Sequence, residues 1–528
     1  MKKLFYIALA LLITACNEGA NVNSNQIILT FDKSVNLFDE EIEKIKSRVE
    51  NSIGPMKSFD VEGPVATVLF EDDVTEIGER AFYYCTSLTS ISIPNSVTTI
   101  GDGVFYGCTS LTSVNIPNSV TTIGKSAFRD CTSLTSVNIP NSVTTIEGHA
   151  FDGCTSLTSI DIPNSVTTIG GYAFSGCTSL TSIKIPNSVT EIGNGAFSGC
   201  TSLTSVNIPN SVTTIGVRAF YGCTSLASFS GEYASSDGRC LILKGTLLGF
   251  AGAGLSEYSI PNSVTEIGDE VFRACTSLTS VNIPNSVTVI GTGAFNGCTS
   301  LTSVNIPNSV TEIGGEVFHA CTSLTSIDIP NSVTTIGGWT FSGCTSLTSV
   351  NIPNSVTEIG GWTFYGCTSL TSVNIPNSVT RIGDVAFYGC TSLTSVNIPY
   401  SVTEIGDDAF RNCTSLTSVN IPYSVTRIGE NAFENCPIVP IADDTWLYGK
   451  WRLTINGETQ AITFNSNGTY GQVFSSPMWG TTTEFGTYEI KNDRIYLYDS
   501  ADGGKHPSTI ILEGHQLKEG NHYYVKSY

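Results

Sequence analysis

The stretch CTSLTSISIPNSVTTIGDGVFYG occupies residues 85–107, and nearly the same 23 residues begin again at Cys108. The opening cysteine marks the period, and it returns at Cys85, Cys108, Cys131, Cys154, Cys177, Cys200, Cys223, Cys275, Cys298, Cys321, Cys344, Cys367, Cys390, Cys413 and Cys436. A fixed period of roughly 20–50 residues is typical of proteins built from stacked repeats. One such copy cannot bury its apolar side chains alone, so the copies must stack on one another.

Each copy has the same order of local signals. Residues 88–93 have the pattern Leu-x-x-Ile-x-Ile and stop at Pro94, which cannot donate to a sheet ladder, so they predict a short strand. Residues 96–100 are β-branched and predict a second extended segment. Gly101 is expected to allow a sharp turn. The Val104-Phe105 step then favours one helical or 3-10 turn.

A column of charges favours stacking in register. The residue before the last isoleucine of four successive copies is Glu358, Arg381, Glu404 and Arg427. If coils stack about 4.8 Å apart, these side chains form a ladder of alternating sign.

The repeated sentence Leu-x-x-Ile-x-Ile-Pro-x-Ser-Val-Thr-x-Ile-Gly-x-x-Ala-Phe-x-x-Cys-x-Ser-Leu resembles the BspA-like leucine-rich repeat family, from about residue 65 to residue 436. The resemblance implies a repeat solenoid of 23-residue coils, each with a β-strand and a short helical or 3-10 turn. About fifteen coils would make a rod of roughly 70 Å. Residues 231–254 interrupt the copies and predict a β-hairpin insert around Lys244-Gly245, as that family often carries. Glu147 departs from the pattern at the position of Gly101.

The predicted domains follow from these boundaries. Residues 1–15 form a signal peptide, 16–61 a lipidated linker and an N-terminal strand and helix cap, and 62–440 the solenoid. Within the cap, residues 26–31 alternate like a strand. Asp39 can cap a helix whose Phe38, Ile42, Ile45 and Val49 share one face. The apolar residues of 65–77 are interpreted as a degenerate first repeat.

Residues 441–528 predict a small antiparallel all-β domain. Alternating segments are separated by turn signals such as Asn456-Gly457 and Asn467-Gly468. The motifs GKW, ITFNSNGTY and GTYEI are similar to bacterial lipocalin-like domains. Such a domain could hold an apolar ligand, although a filled β core is the simpler expectation.

The first residues predict a targeting signal. Two lysines precede an apolar run over residues 4–13, which suits a signal peptide and is too short to cross a bilayer. The run ends in Ile-Thr-Ala-Cys at residues 13–16, which resembles the lipobox of bacterial lipoproteins. The resemblance implies cleavage before Cys16 and acylation of that cysteine. An ordinary cleavable signal with an incidental cysteine is the alternative.

Charge and composition exclude some partners. The formal net charge is −21, and only 13% of the residues are charged. Residues 62–437 hold 28 Asp and Glu against 11 Lys and Arg. This acidity disfavours binding to nucleic acid or to anionic lipid headgroups, and the only membrane contact we expect is the lipid anchor.

The cysteines and histidines do not form a recognisable catalytic or metal motif. Fifteen of the cysteines share one column, where the leucine-rich repeat pattern expects Cys or Asn. We interpret them as buried, reduced thiols that act as small hydrophobes. His506, His515 and His522 could meet at a metal, but no accompanying ligand motif supports this. We expect no enzyme activity and no cofactor.

Aromatic and amide columns are the candidate binding residues. Trp339 and Trp362 share one register in successive copies, and exposed tryptophans often dominate protein interfaces. Three groups complete the candidates: the tyrosine pairs Tyr365 with Tyr388 and Tyr83 with Tyr106, and an outward amide column that includes Asn351, Asn374 and Asn397. The alternatives are aromatic packing on the turn and amides that bond one another along the stack.

The family resemblance implies a function. Proteins of this kind are bacterial surface adhesins that bind host matrix proteins such as fibronectin and fibrinogen, or other microbes. The expected role is a non-enzymatic, lipid-anchored surface protein of the outer membrane whose solenoid mediates adhesion, a property linked to virulence. In the alternative, the repeats are a spacer and the C-terminal β domain binds a small apolar ligand or carbohydrate.

The lipid anchor can be tested by replacing Cys16 with Ser. We expect this change to abolish incorporation of labelled palmitate in a bacterial host, because the acceptor thiol is lost. A Cys85→Ser chain serves as control and should keep the label. Palmitate on the Cys16→Ser chain would contradict the lipobox interpretation.

Overall fold

The computed structural model describes residues 23–32, 39–422 and 424–437, and eight strand segments between residues 449 and 527. The chain divides into two compact units, Met1–Gly254 and Leu255–Tyr528. Each unit contains coils of a β-solenoid, so the predicted fold class of a repeat solenoid is confirmed for the repeats. Nearly all described coils contribute a strand to a first sheet and a shorter strand to a second sheet, while Asp161 and Ile336 join these sheets through single bridges.

The beginning of the first unit is a cap. Strand Gln26–Phe31 lies between two antiparallel neighbours, Val65–Phe70 and the first-copy strand Leu88–Ser92, and Met56–Glu62 pairs with Val65–Phe70. The helix spans Asp39–Ser52. Antiparallel pairing therefore occupies the hydrogen-bonding edge that the first coil would otherwise leave open.

Two cap predictions have different outcomes. Ile45 and Val49 of the predicted helix face are buried, as expected for a helix that packs on a sheet. The interpretation of residues 65–77 as a degenerate first repeat stays a prediction. Glu76–Ile77 pairs in parallel with Thr99–Ile100, 23 positions later, whereas Gln26–Phe31 is inserted between Val65–Phe70 and Leu88–Ser92 and pairs antiparallel with both.

The first sheet is parallel and in register, so each residue lies beside the residue 23 positions later; Val206, for example, pairs with Phe229. In the first unit its strands are Leu88–Ser92, Ser113–Asn115, Ser136–Asn138, Ser182–Lys184, Ser205–Asn207 and Ser228–Ser230. In the second unit they are Glu257–Ser259, Ser280–Asn282, Ser303–Asn305, Ser326–Asp328, Ser349–Asn351, Ser372–Asn374, Ser395–Asn397 and Ser418–Asn420.

The second sheet consists of two-residue strands that end at the last isoleucine of each coil. In the first unit they are Glu76–Ile77, Thr99–Ile100, Thr122–Ile123, Thr145–Ile146, Thr168–Ile169, Glu191–Ile192 and Thr214–Ile215. In the second unit they are Glu266–Ile267, Val289–Ile290, Glu312–Ile313, Glu358–Ile359, Arg381–Ile382, Glu404–Ile405 and Arg427–Ile428. Ile336 continues this sheet through single bridges to Ile313 and Ile359.

Phenylalanines form a continuous stack inside each unit. In the first unit the rings of Phe82 and Phe105 are 5.6 Å apart and nearly parallel, and the stack continues coil by coil to Phe220. In the second unit the same arrangement runs from Phe272 to Phe433. Because offset stacking adds to area burial, this column stabilises the register as well as the core.

Apart from the partly exposed Cys275 and Cys436, the repeat cysteines are buried beside this stack, as predicted. Each thiol from Cys108 to Cys223 donates a hydrogen bond to the phenylalanine carbonyl 26 residues earlier; the Cys108 Sγ to Phe82 O distance is 3.0 Å. The same bond recurs from Cys298 to Cys436. Burial raises the pKa of Cys108 well above its ordinary value and that of Cys344 to about 12.

The charge ladder predicted from the sequence is confirmed. Glu358, Arg381, Glu404 and Arg427 pair in parallel register. Arg381 Nη1 lies 2.6 Å from Glu358 Oε1, and its Nε lies 3.6 Å from Glu404 Oε2. Arg427 also binds Glu404. Hydrogen bonding to Glu358 raises the pKa of the Arg381 guanidinium.

The insert contains the predicted hairpin. Strands Cys240–Leu243 and Thr246–Phe250 pair antiparallel. Lys244 and Gly245, between them, have φ of 52° and 85°. Two consecutive positive φ values are those of a type I′ turn, whose twist matches the flanking strands.

Gly101 directly precedes the predicted turn, but it does not adopt the backbone conformation that favours glycine. Its φ is not in the left-handed region, but a Cβ at Gly101 would lie 2.9 Å from the amide nitrogen of Glu79 in the preceding coil. The residue's own amide donates to Ile77 O at 2.8 Å. Glycine is therefore required because two coils approach closely here.

Glu147, which replaces this glycine, coincides with a break in the second sheet. Strands Thr122–Ile123 and Thr145–Ile146 fall in different sheets, although each is paired on its other side. One coil further, Gly170 restores the close approach, with its amide bonded to Ile146 O at 2.8 Å. A Cβ at this position therefore disfavours the close approach that glycine permits, although the second sheet is also reduced to single bridges at Ile336, beside Gly337.

The C-terminal segments are antiparallel strands. They span Gly449–Ile455, Glu458–Phe464, Thr469–Ser476, Gly480–Lys491, Arg494–Asp499, Ser508–Glu513, Gln516–Glu519 and His522–Ser527. Consecutive strands pair, and the first also pairs with the last, so the strand order is closed. That residues 441–528 form a separate lipocalin-like domain stays a prediction.

Replacing Glu147 with Gly should restore the missing sheet contacts. We expect the free energy of unfolding to rise by about 1 kcal/mol, because two backbone hydrogen bonds outweigh the entropy cost of glycine. Thermal unfolding followed by circular dichroism measures the effect. Gly170→Glu is the reciprocal control and should lower the melting temperature. No change in either chain would contradict the close-approach explanation.

The raised cysteine pKa values predict protected thiols. In a Cys16→Ser chain at pH 8, we expect iodoacetamide to label the folded protein far more slowly than the protein in guanidinium. The folded pKa lies above the unfolded pKa of about 8.5, so stability should be full below that pH and fall as pH rises above it. Rapid stoichiometric labelling of the folded chain would contradict this packing.

Candidate functional site

The segment after the second sheet contains two successive turns in every coil. Here the prediction of a helical or 3-10 turn is wrong for the described repeats, which form hydrogen-bonded turns instead. In the first coil Ala81 N donates to Gly78 O, and Cys85 N donates to Phe82 O. The third residue of each turn, Arg80 and then Tyr84, has a positive φ, as in a type II turn.

These left-handed residues repeat every 23 positions and make two columns. The first, which we call the left-handed column, contains Arg80, Gly103, Ser126, His149, Tyr172, Gly195 and Arg218 in the first unit. In the second unit it contains Glu270, Gly293, Glu316, Trp339, Trp362, Val385, Asp408 and Asn431. Their amides bond to the next coil, as Arg80 N does to Asp102 O at 3.0 Å, so contacts between coils maintain the conformation.

Four predicted aromatic residues meet on the turns of the second unit. Trp339 and Trp362 stack with ring centroids 4.4 Å apart and an interplanar angle of 3°. Tyr365 lies 5.1 Å from Trp362 and 5.2 Å from Tyr388. We call Trp339, Trp362, Tyr365 and Tyr388 the aromatic patch.

The patch is accessible and its backbone is strained. Trp339 remains 37% exposed, whereas the core phenylalanines around it are fully buried. Trp339 and Trp362 have φ of 63° and 62°, a conformation that bulky side chains rarely adopt. The same conformation recurs throughout the left-handed column, so contacts between coils hold both tryptophans in place.

His319 extends the patch, and sequence reasoning missed it. Its ring lies 6.1 Å from Trp339 in an edge-on arrangement. Its Nδ1 is buried and has no hydrogen-bond partner among the described residues. His319 is one coil ahead of Ser342 and two ahead of Tyr365 in the same column, so the period alone could have grouped these positions.

Tyr83 and Tyr106 form a separate cluster in the first unit. Their rings are 5.1 Å apart, and Tyr84, which the sequence analysis did not single out, packs against both. The Arg80 guanidinium lies 5.8 Å from the Tyr83 ring, and that of Arg129 lies 5.4 Å from the Tyr106 ring. Burial and the hydrogen bond to Tyr84 raise the pKa of Tyr106.

The amide column lies on the first sheet and not on the turns. Asn351, Asn374 and Asn397 are exposed and pair in register. Asn420 Nδ2 donates to Asn397 Oδ1 at 3.2 Å, so amides in this column do bond along the stack. The structure therefore does not bring these asparagines to the aromatic patch.

A comparison of the chain's own copies separates the two surfaces. The first-sheet motif Ser-Val-Asn recurs in most copies, whereas the turn positions change from copy to copy. For example, Glu316, Trp339 and Val385 occupy one register of otherwise similar coils. This variation between copies indicates that the turns are the surface whose side chains differ from coil to coil.

Other candidate chemistry is not supported in the described residues. No group of three or more His, Cys, Asp or Glu side chains there could hold a metal ion. None of the helices in the described part of the chain has the length and apolar character needed to span a membrane. Cys16, His506 and His515 lie outside the described residues, as does the side chain of His522.

The sequence matches a family model described as the BspA type leucine rich repeat region. The matched residues are 52–162, 144–235, 249–367 and 313–440, which together exceed half of the chain. Among proteins with curated functions, none matches significantly.

Solved structures give further relatives. A leucine-rich repeat protein from Bacteroides ovatus is 36% identical, covers 66% of this chain and 87% of its own, and has a TM-score of 0.46. A leucine rich cell surface protein from Faecalibacterium prausnitzii is 32% identical, with coverages of 72% and 89% and a TM-score of 0.44. A leucine-rich repeat protein from Eubacterium ventriosum is 25% identical, with coverages of 67% and 91% and a TM-score of 0.51.

Proposed function

The chain belongs to the BspA-type leucine-rich repeat family, and we propose that it is a non-enzymatic surface protein whose solenoid mediates adhesion. Family membership supports protein–protein binding at the cell surface in general terms. The finer proposal is attachment to host matrix proteins of the fibronectin or fibrinogen type, or to other cells. The Faecalibacterium relative is itself described as a cell surface protein.

The aromatic patch is the observation that carries this proposal. Trp339 is exposed, its backbone is in the left-handed region, and its ring stacks on Trp362. Tryptophan and tyrosine are the side chains most often found at the energetic centre of protein interfaces. Since the two rings already order each other, little conformational entropy is lost when a partner covers them.

Anchoring through acylated Cys16 belongs to the same proposal. Two or three acyl chains suffice for stable attachment to the outer membrane. An acidic chain with a net charge of −21 would also be repelled by anionic lipid, which disfavours flat adsorption.

A second candidate assigns binding to the C-terminal strands, with the repeats as a spacer. The closed order of the eight strands favours it, because small antiparallel barrels can enclose an apolar ligand. A carbohydrate is the other ligand class compatible with this alternative.

Replacing both Trp339 and Trp362 with Ala tests the adhesion proposal. We expect affinity for immobilised fibronectin or fibrinogen to fall by at least about tenfold, measured by surface plasmon resonance on the otherwise intact chain. Tyr400→Ala is the control, since Tyr400 is 66% exposed and lies outside the patch. Unchanged binding would discard the patch.

Deletion of residues 441–528 separates the two candidates. Binding to matrix proteins should persist if the solenoid is responsible and disappear if the C-terminal strands are. Far-UV circular dichroism checks that the repeats keep their fold. Failure of the intact chain to bind any matrix protein or cell would contradict adhesion itself.

A further inference from the structure

The aromatic patch lies within a field of carboxylates. In the left-handed column Trp339, Trp362 and Val385 are adjacent, with Glu316 one coil before them and Asp408 one coil after. Seven acidic residues and two arginines lie on the second sheet and on the turns that follow it, between residues 312 and 411. They are Glu312, Glu316, Glu358, Asp384, Glu404, Asp407, Asp408, Arg381 and Arg411.

The two arginines are already engaged by carboxylates. Arg381 contacts Glu358 at 2.6 Å, Glu404 at 3.6 Å and Asp384 at 3.8 Å. Arg411 contacts Asp408 at 3.2 Å and a further carboxylate, Glu434, at 2.6 Å.

The carboxylates ahead of the tryptophans lack a cation. Glu316 accepts a hydrogen bond from the neutral amide of Asn296 at 3.2 Å. Within residues 255–422, where side chains are described, neither Glu312 nor Glu316 has an ion pair. The surface around the patch is therefore net negative and only partly compensated.

The tyrosine cluster of the first unit shows what is missing here. There, Arg80 and Arg129 place guanidinium groups over the Tyr83 and Tyr106 rings. Over Trp339 and Trp362 no lysine or arginine of the described residues is found. Tryptophan is the strongest cation–π partner among the aromatic side chains, and surrounding carboxylates strengthen its attraction for a cation.

We propose that the aromatic patch and its flanking carboxylates bind an arginine- or lysine-bearing segment of the partner protein. This proposal rests on the proposed function and specifies the chemistry of the partner. A guanidinium can stack on an indole while its N–H groups bind carboxylates two at a time, so arginine suits the surface best. Acidic proteins and sulfated or phosphorylated polymers are repelled by the same field.

The test uses the full mature chain and two dye-labelled peptides, (Ser-Arg-Gly)5 and (Ser-Glu-Gly)5. By fluorescence anisotropy, we expect the arginine peptide to bind and the glutamate peptide not to bind. Affinity for the arginine peptide should fall as ionic strength rises, because exposed charges are screened.

Variants locate the site. Trp339→Ala with Trp362→Ala should weaken arginine-peptide binding by at least about tenfold, and Glu312→Gln with Glu316→Gln by about threefold or more. Glu76→Gln with Glu191→Gln, two exposed carboxylates of the first unit, is the matched control and should change nothing. Equal binding of both peptides, or equal effects of the control and test pairs, would overturn the proposal.

The outcome is separable from that of the adhesion proposal. If the chain binds a matrix protein and the glutamine and alanine variants bind it equally well, adhesion stands and the charge assignment fails. If the arginine peptide binds at the patch but no matrix protein or cell does, the charge assignment stands and adhesion fails.

Discussion

The backbone hydrogen bonds between successive coils are the constraint on which the rest of this protein depends. They place each residue beside the one 23 positions later, and the stacked phenylalanines and the glycines equivalent to Gly101 fit only that register. Close approach leaves no space for a Cβ at this glycine, and the ladder of the second sheet is broken beside Glu147. A short strand of two or three residues has little stability alone, so cooperation between neighbours replaces strand length.

Because the register is fixed, any chemistry on the surface is organised in columns. A residue type repeated in successive copies becomes a row of contacting side chains, such as the Glu358–Arg381–Glu404–Arg427 ladder or the paired tryptophans. The two aromatic clusters differ through single positions in these columns. The first unit supplies its own arginines over tyrosine, whereas the second surrounds tryptophan with carboxylates. The same backbone can thus present aromatic side chains beside cations in one unit and beside carboxylates in the other.

Much of the fold could be predicted because the 23-residue period indicates which residues of successive coils lie in contact. The solenoid, the buried cysteines, the hairpin at Lys244-Gly245 and the charge ladder all follow from residue types at fixed spacing. The turn geometry could not be predicted from residue types, since the left-handed column contains Arg, His, Tyr, Trp and Val in place of glycine. Backbone amides that donate to the next coil compensate the unfavourable φ. The turn propensity of the residues in a single copy does not reflect that contact. The insertion of Gln26–Phe31 between Val65–Phe70 and the first-copy strand Leu88–Ser92 could not be predicted from the period either.

The sequence by itself determined the family, the register and the candidate aromatic residues, because each depends only on which residues recur after 23 positions. Only the tertiary structure decided that four of those aromatic residues meet on one surface. It also decided that Tyr84 belongs to the tyrosine cluster and that His319 lies beside the aromatic patch. It also decided that the amide column lies on the first sheet, apart from them. The physical reason is that the path of the chain within a coil sets which columns are neighbours. That path depends on left-handed turns stabilised by contacts between coils, which no single copy encodes.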